Sequence, residues 1–260
     1  MKPAYPARLS LAQLPTPLQP LDRFSALLGG PRIWLKRDDL TGSLCTGNKV
    51  RKLEFIFAHA LAEAYDSVIS CGGLQSNHCR ATAVLAAQLG LRCVLVLRGE
   101  QPAEADGNLL LARLAGADIR YIPVQDYQQQ LPALLEHERK RLAKTGSKAL
   151  VIPTGGSDGL GVWGYIAAAG ELQQDFRRLG IAPRHIVHAS GSGGTQAGLM
   201  LGAWLYDLDA GIVGINVCDD YDYFAAKIRQ DIDDWQQRYG VAVDWQQLSF
   251  SLIDGYVGEG

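Results

Sequence analysis

The sequence predicts an α/β protein in which parallel sheets are covered by helices. Three observations predict it. Short apolar, β-branched runs alternate with stretches of helical periodicity along most of the chain. Glycine stands directly after helical stretches, at Gly90 and Gly116, where a left-handed residue stops a helix. Gly-bounded loops follow strand-like runs and open helix-like ones, the arrangement found at the carboxyl ends of parallel strands.

The elements follow in order. Ile33–Lys36 reads as a short strand. A helix starts at about Asn48, where Leu53, Ile56, Phe57 and Ala60 recur at spacings of three and four. Ser67–Cys71 is a β-rich run that stops at Gly72-Gly73, and a helix runs from about Asn77 to Leu89. Cys93–Leu97 is continuously apolar, as a strand buried on both faces is. A helix over 107–115 precedes a strand at Asp118–Ile122, and a long polar helix covers about 127–144. The strand Ala149–Ile152 leads into Pro153-Thr154-Gly155-Gly156 and a helix over 160–178. Strands at His185–Ala189 and Gly211–Val217 flank a helix over 195–207, and a helix at about 221–237 follows. The tail after Tyr239 is weakly patterned.

Composition narrows the function classes. A chain of 260 residues suits one large or two modest domains. Its 25 basic and 27 acidic residues leave a net charge of −2, which excludes a strongly basic nucleic-acid binder. No apolar run is long enough to span a membrane. The proline-rich start, with Pro3, Pro6, Pro15 and Pro17, lacks the apolar core of a secretory signal. With 47% hydrophobic and 20% charged residues, the chain is not disordered. The five cysteines form no CxxC pair, so neither a zinc ribbon nor a thioredoxin-type motif is present, and a reducing cytoplasmic setting is expected.

Three loops carry candidate chemistry. Gly42–Lys49 (GSLCTGNK) misses the P-loop pattern, because Asn48 separates Gly47 from Lys49 and Val50 replaces the magnesium-binding hydroxyl. What remains is Lys49 at a helix start, beside Arg51 and Lys52. The helix dipole and neighbouring cations disfavour its ammonium there, which suits Schiff-base chemistry. A solvated basic first turn is the alternative. The second loop, Gly72–His78 (GGLQSNH), offers Ser76, Asn77 and His78 to an anion at a helix N-terminus. Simple capping by Ser76 or Asn77 explains it equally well, and His78 could be a packed histidine. The third loop, Ser190–Gly198 (SGSGGTQAG), places Gly191, Gly193 and Gly194 around Ser192 and ahead of Thr195. Such a loop folds around a phosphate with the helix N-terminus behind it. It is not the dinucleotide fingerprint, since Gln196 stands where the third glycine belongs and no acidic residue ends the next strand. A phosphate loop, a helix-start lysine and an anion-ready Ser-Asn turn together point to pyridoxal 5′-phosphate.

Longer motifs carry a resemblance. Leu35–Gly42 (LKRDDLTG), Gly47–Glu54 (GNKVRKLE), Gly72–Ala83 (GGLQSNHCRATA), Gly155–Tyr165 (GGSDGLGVWGY), Gly191–Gly198 (GSGGTQAG) and Val217–Phe224 (VCDDYDYF) resemble the D-cysteine desulfhydrase and 1-aminocyclopropane-1-carboxylate deaminase family. The similarity runs from about Leu14 to Gly260. It implies the tryptophan-synthase-β-like fold of pyridoxal-phosphate enzymes (fold type II), with two parallel-sheet α/β domains and the cofactor between them. Residues 1–46 and 154–260 would form the larger, cofactor-binding domain, and 47–153 the smaller one. Residue by residue, the resemblance makes Lys49 the lysine that carries the cofactor aldehyde. Lys52 would lie near the phosphate, the backbone of Gly191, Ser192, Gly193, Gly194 and Thr195 would hold it, and Asn77 would bond the ring hydroxyl. Ser76, Asn77 and His78 would hold the substrate carboxylate. Tyr256 would face the substrate, and Ser76 and Tyr256 would join Lys49 in catalysis.

The reaction so implied is β-elimination on D-cysteine or a related β-substituted amino acid. Lys49 removes the α-proton, a β-thiol leaves as sulfide, and the released aminoacrylate hydrolyses to pyruvate and ammonia. His78 after Ser76-Asn77, and Cys79–Thr82, look like the desulfhydrase branch; cyclopropane deaminase or cysteate sulfo-lyase activity is the alternative. The family pattern continues into a further tyrosine followed by Thr, Ser or Glu that has no counterpart here. The resemblance therefore implies a C-terminally truncated chain. A pyridoxal-phosphate-binding protein without turnover is the leading non-enzyme alternative, ahead of a nucleotide-binding regulatory module. A small amino-acid substrate and a homodimer are implied, with no nucleic-acid or membrane partner.

Overall fold

The computed structural model describes residues 3–258. An antiparallel pair, β1 (Leu18–Pro20) and β2 (Trp34–Lys36), flanks the short helix α1 (Asp22–Leu28). A four-stranded parallel sheet follows, built from β3 (Ser67–Gly73), β4 (Arg92–Arg98), β5 (Asp118–Ile122) and β6 (Ala149–Val151) in the order β5-β4-β3-β6. Its helices are α2 (Asn48–Ala62), α3 (Asn77–Gln88), α4 (Gly107–Leu114) and α5 (Val124–Ala143). A second parallel sheet, β7-β8-β9, consists of His185–Ser190, Gly211–Asn216 and Ser251–Ile253. It is served by α6 (Trp163–Leu179), α7 (Gly194–Tyr206) and α8 (Tyr221–Tyr239). The α/β class with parallel sheets is the one expected.

Period-2 alternation divides the first sheet between two cores. Val68, Cys93, Leu95 and Leu97 face the large cluster that includes Leu53, Phe55, Phe57 and Trp163. Ile69, Cys71, Val94 and Val96 face a smaller one with Tyr127, Leu135 and Leu142 of α5. Glycines let the central helices approach closely. A Cβ on Gly164 of α6 would lie 2.5 Å from the Arg51 backbone, and one on Gly202 of α7 would lie 2.4 Å from the Ala169 Cβ.

Three elements escaped the sequence reading. The short β1 and β9 carry too few residues for alternation to show, and α1 buries none of its side chains. Two helix starts also differ. The helix expected at 127 begins at Val124, directly after Pro123. The helix expected at 160 begins at Trp163, because Asp158 Oδ1 accepts the N–H groups of Leu160 and Gly161 in a preceding turn.

Among the described residues, the second sheet is covered on one face only. Ile212, Gly214 and Asn216 of β8 are buried toward the helices. On the opposite face Val187 is 58% exposed and Ile253 42%, with Ala189 exposed and Ile215 half-buried beside them in register.

Candidate active site

The site is assembled where three chain segments meet. At the start of α2, Gly47 adopts φ +97°, a left-handed backbone that lets the extended loop turn directly into the helix. This sets Asn48 and Lys49 in its first turn. Lys49 is half-buried, and its Nζ donates to Asn48 Oδ1 at 3.1 Å. Protein surrounds most of the side chain, and this desolvation pushes the ammonium down to about 8. One turn on, Lys52 is fully buried. Its Nζ donates to two neutral atoms, Gly155 O and Ser157 Oγ, both at 3.2 Å. Burial, with the nearby Lys49 charge, holds its ammonium well below the ordinary lysine value.

The second segment is the turn after β6. Gly155 and Gly156 take φ of +66° and +59°, which folds the chain back so that Ser157 points inward. The third is the Gly-rich loop between β7 and α7. Here Gly193, at φ +81°, opens α7. Ser157 Oγ accepts from the Gly194 N–H at 3.2 Å and donates to Ser192 Oγ at 2.9 Å. Thr195 Oγ1 accepts from Asn48 Nδ2 at 3.2 Å, closing the ring back to α2. The result is a cup floored by the N-terminus of a 13-residue helix and walled by two lysines and two serines.

The cup is built around missing side chains. A Cβ on Gly194 would sit 2.6 Å from Ser157 Oγ and 2.8 Å from Lys52 Nζ. One on Gly155 would sit 2.3 Å from Ser192 Oγ and 3.3 Å from Lys49 Cε. Ser190, at the end of β7, is buried with no hydrogen-bond partner on its Oγ. The arrangement can take up a small anion through backbone N–H groups, hydroxyls and ammonium groups, with Lys49 at its rim.

The structure therefore gathers Lys49, Lys52, Ser192, Gly193, Gly194 and Thr195, with Gly191 exposed at the loop's outer bend. It treats the Ser76-Asn77-His78 turn differently. Ser76 caps α3, its Oγ accepting from the Cys79 N–H at 3.2 Å, so the capping reading describes its side chain. Asn77 is exposed, and its Oδ1 accepts from Asn108 Nδ2 at 3.0 Å. The His78 side chain is packed, not presented. It is 2% exposed and hydrogen-bonded to Ser70 Oγ at 2.8 Å, while the Ser70 hydroxyl donates to Ile152 O. Nε2 must then carry the ring proton, leaving Nδ1 a buried acceptor without a partner. Burial and the two lysine charges push this imidazole down to about 3, so it stays neutral. What His78 can still offer an anion is its backbone N–H in the first turn of α3. Tyr256 is 65% exposed and joins none of the hydrogen bonds around Lys49.

Sequence reasoning missed Ser157, although it sits in the Gly155–Tyr165 stretch. An isolated Ser after two glycines gives no local signal; only the close return of this turn against Gly194 makes it a cup residue. A cavity of about 570 Å³ at the outer edge of β6, between Tyr65, Arg139 and Lys148, includes none of the cup residues. Among the described residues no His/Cys/Asp/Glu cluster could hold a metal ion.

Comparison with known proteins decides the family. Residues 9–260 match the family model described as pyridoxal-phosphate dependent enzyme. The chain belongs to that family. A D-cysteine desulfhydrase/1-aminocyclopropane-1-carboxylate deaminase of Arabidopsis thaliana, described as bifunctional and mitochondrial, is 45% identical over 86% of this chain. A D-cysteine desulfhydrase of Serratia proteamaculans is 41% identical over 81% of it. The aligned region spans 58% and 64% of those two relatives. The crystal structure of an ACC deaminase homologue superposes with a TM-score of 0.87 at 35% identity, covering 96% of this chain and 74% of that one. A threonine deaminase superposes at 0.60 with 24% identity, which shows the shared fold. The cup fits this family's cofactor. Its Gly-built floor, the orphaned Ser190 hydroxyl and the lysine set suit a phosphate group, and a lysine whose ammonium is pushed down to about 8 suits an aldehyde.

Proposed function

We propose that the chain performs β-elimination on D-cysteine or a related β-substituted amino acid, releasing sulfide, ammonia and pyruvate. The observation that carries the reading is Lys49 at the rim of a Gly-lined anion cup whose wall includes Lys52. The names of the Arabidopsis and Serratia relatives support the substrate class. When bound, pyridoxal phosphate supplies an electron sink for the carbanion formed at the substrate α-carbon. The backbone of Gly191 to Thr195, with Lys52, holds the phosphate, and Asn77 meets the ring hydroxyl. Lys49 is the residue that would hold the aldehyde, and its Nζ is the group that would take the α-proton; its lowered ammonium keeps a fraction of the amine neutral near pH 7. Ser76, Asn77 and the His78 backbone N–H orient the substrate carboxylate at the α3 N-terminus. Tyr256, exposed in the segment after β9, would face the substrate by the family resemblance.

The division into 47–153 and the remainder belongs to the same proposal, supported by two separate parallel sheets. A reducing, cytoplasmic setting is supported by five unpaired cysteines, and the homodimer by the exposed apolar side chains Phe24, Leu27 and Leu28. No helix among the described residues is long and apolar enough to cross a membrane.

The test is a substrate panel on cofactor-loaded protein, with Lys49→Ala as control. Sulfide and pyruvate from D-cysteine, lost in Lys49→Ala, are expected. An oxo acid from no amino acid would support the cofactor-binding protein without turnover. Turnover of the cyclopropane amino acid or of cysteate alone would move the assignment to those branches.

A further inference from the structure

Beneath the cup lies an ion pair outside every motif discussed so far. Asp231 of α8 is 1% exposed. Its Oδ1 pairs with Lys227, one turn earlier, and its Oδ2 has no hydrogen-bond partner. A Cβ on Gly193 would lie 3.2 Å from Lys227 Cγ and 3.6 Å from Asp231 Oδ2. The pair therefore packs directly against the Gly-rich loop. Lys227 Nζ also donates to Ser157 O at 3.0 Å, and Ser157 Oγ is a wall of the cup.

Lys52 is fully buried and Lys227 half-buried, both bonded to Ser157; with Lys49 at the rim they concentrate positive charge that protein interiors tolerate only when compensated. Lys52 has only neutral hydrogen-bond acceptors. The titratable groups facing this region are Lys49 and Lys52 from α2, His78 from α3, Asp158 from the turn before α6, His188 from β7, and Tyr223, Lys227 and Asp231 from α8. Asp158 already accepts the Leu160 and Gly161 N–H groups. Asp231, with one oxygen unpartnered and turned toward Gly193, is the carboxylate with capacity left.

We propose that the Lys227–Asp231 pair is a built-in counter-charge for the anion cup, with Asp231 standing in for a phosphate group and Lys227 turning toward one when it binds. Both are positioning residues, acting through Ser157, Gly193 and Lys52. The proposal rests on reading the cup as a phosphate site.

The experiment measures the thermal unfolding midpoint of the cofactor-free chain against inorganic phosphate, with chloride holding ionic strength constant. Wild type, Asp231→Asn and Lys227→Met are compared at pH 7.5. Phosphate raises the wild-type midpoint. Asp231→Asn starts lower without phosphate and binds it about 5- to 10-fold more tightly, because the anion supplies the missing negative charge. Lys227→Met binds phosphate about 5- to 10-fold more weakly, because Asp231 then faces it unshielded. No phosphate response in wild type overturns the phosphate reading and this proposal together. A wild-type response matched by both variants overturns this proposal alone. Should Asp231→Asn fail to fold, Lys227→Met decides.

Discussion

Arg51 is two residues beyond Lys49 on α2, and its replacement by Met tests what keeps that helix in place. Arg51 is 1% exposed, yet it is charged. Burial works against its guanidinium, but hydrogen bonds to Glu171 and Asp38 outweigh it and raise its pKa. The Asp38 contacts are 2.8 and 3.0 Å, the Glu171 contacts 2.8 and 3.1 Å, and Thr16 Oγ1 accepts at 2.9 Å. These bonds tie α2 to the N-terminal segment and to α6. Removing one partner of a buried pair costs about 3–5 kcal/mol, mostly because the other charge is left uncompensated. Here both carboxylates keep other partners. Glu171 retains Lys36 at 3.1 Å, and Asp38 retains the Tyr165 hydroxyl at 2.6 Å. Their side chains are also 15% and 17% exposed, so water relieves part of the loss. Arg51→Met is therefore expected to cost about 3 kcal/mol, the low end of that range. With a urea slope of roughly 3 kcal/mol per molar, the unfolding midpoint falls by about 1 M. The double variant Arg51→Met/Asp38→Asn should lose about 1–2 kcal/mol less than the sum of the single losses, since the two groups share one network. A midpoint within about 0.2 M of wild type, or strict additivity, would refute the idea that this network anchors α2.

Other expectations follow from the same geometry. The fold lowers the Lys49 pKa from 10.5 to about 8, so the protonated form is penalised in the folded state. That penalty is fully present below about pH 8 and vanishes as the pH rises past 10.5, so Lys49→Met should stabilise the cofactor-free chain at pH 7 and not at pH 11. The shift corresponds to roughly 3 kcal/mol, and partial solvent access reduces it to about 1–2 kcal/mol; equal melting gaps at both pH values would contradict the assignment. Gly194→Ala places a methyl group 2.6 Å from Ser157 Oγ and should abolish phosphate-induced stabilisation while costing about 1–3 kcal/mol, read by calorimetry with and without phosphate. Val187→Lys on the uncovered face of the second sheet should leave the unfolding free energy within about 0.5 kcal/mol of wild type. It should also reduce binding of a hydrophobic fluorescent dye; unchanged dye binding would place the apolar surface elsewhere.

Where a segment's local chemistry matched its tertiary surroundings, the sequence was legible. Asp118–Ile122 is a strand over the span expected, since turn signals bound it on both sides. Gly72 and Gly73 looked like a strand stop, but β3 runs through them. They pair with Leu97 and Arg98, and a Cβ on Gly72 would collide with Ser76. The lysines and the Gly-rich loop were readable because a cradle for an anion requires glycines in a local run. Ser157, Lys227 and Asp231 were not, because each comes to the cup from a distant part of the chain with an ordinary local context. The His78 side chain was misdirected by its neighbours: a Ser-Asn-His turn advertises three donors, but helix geometry turns the third inward against Ser70. The α1 helix stayed hidden because hydrophobic periodicity reports burial, and α1 buries nothing.

The second sheet's uncovered face makes protein concentration a variable in its own right. Val187, Ala189, Ile215 and Ile253 share one apolar face, and parallel strands are ordinarily shielded from water on both sides. Such a face rewards contact with any second apolar surface, a copy of itself included. Melting midpoints, phosphate affinities and activities measured at one dilution will then differ from those at another, because association stabilises whichever state it favours. A dilution series is accordingly part of interpreting every other measurement on this chain.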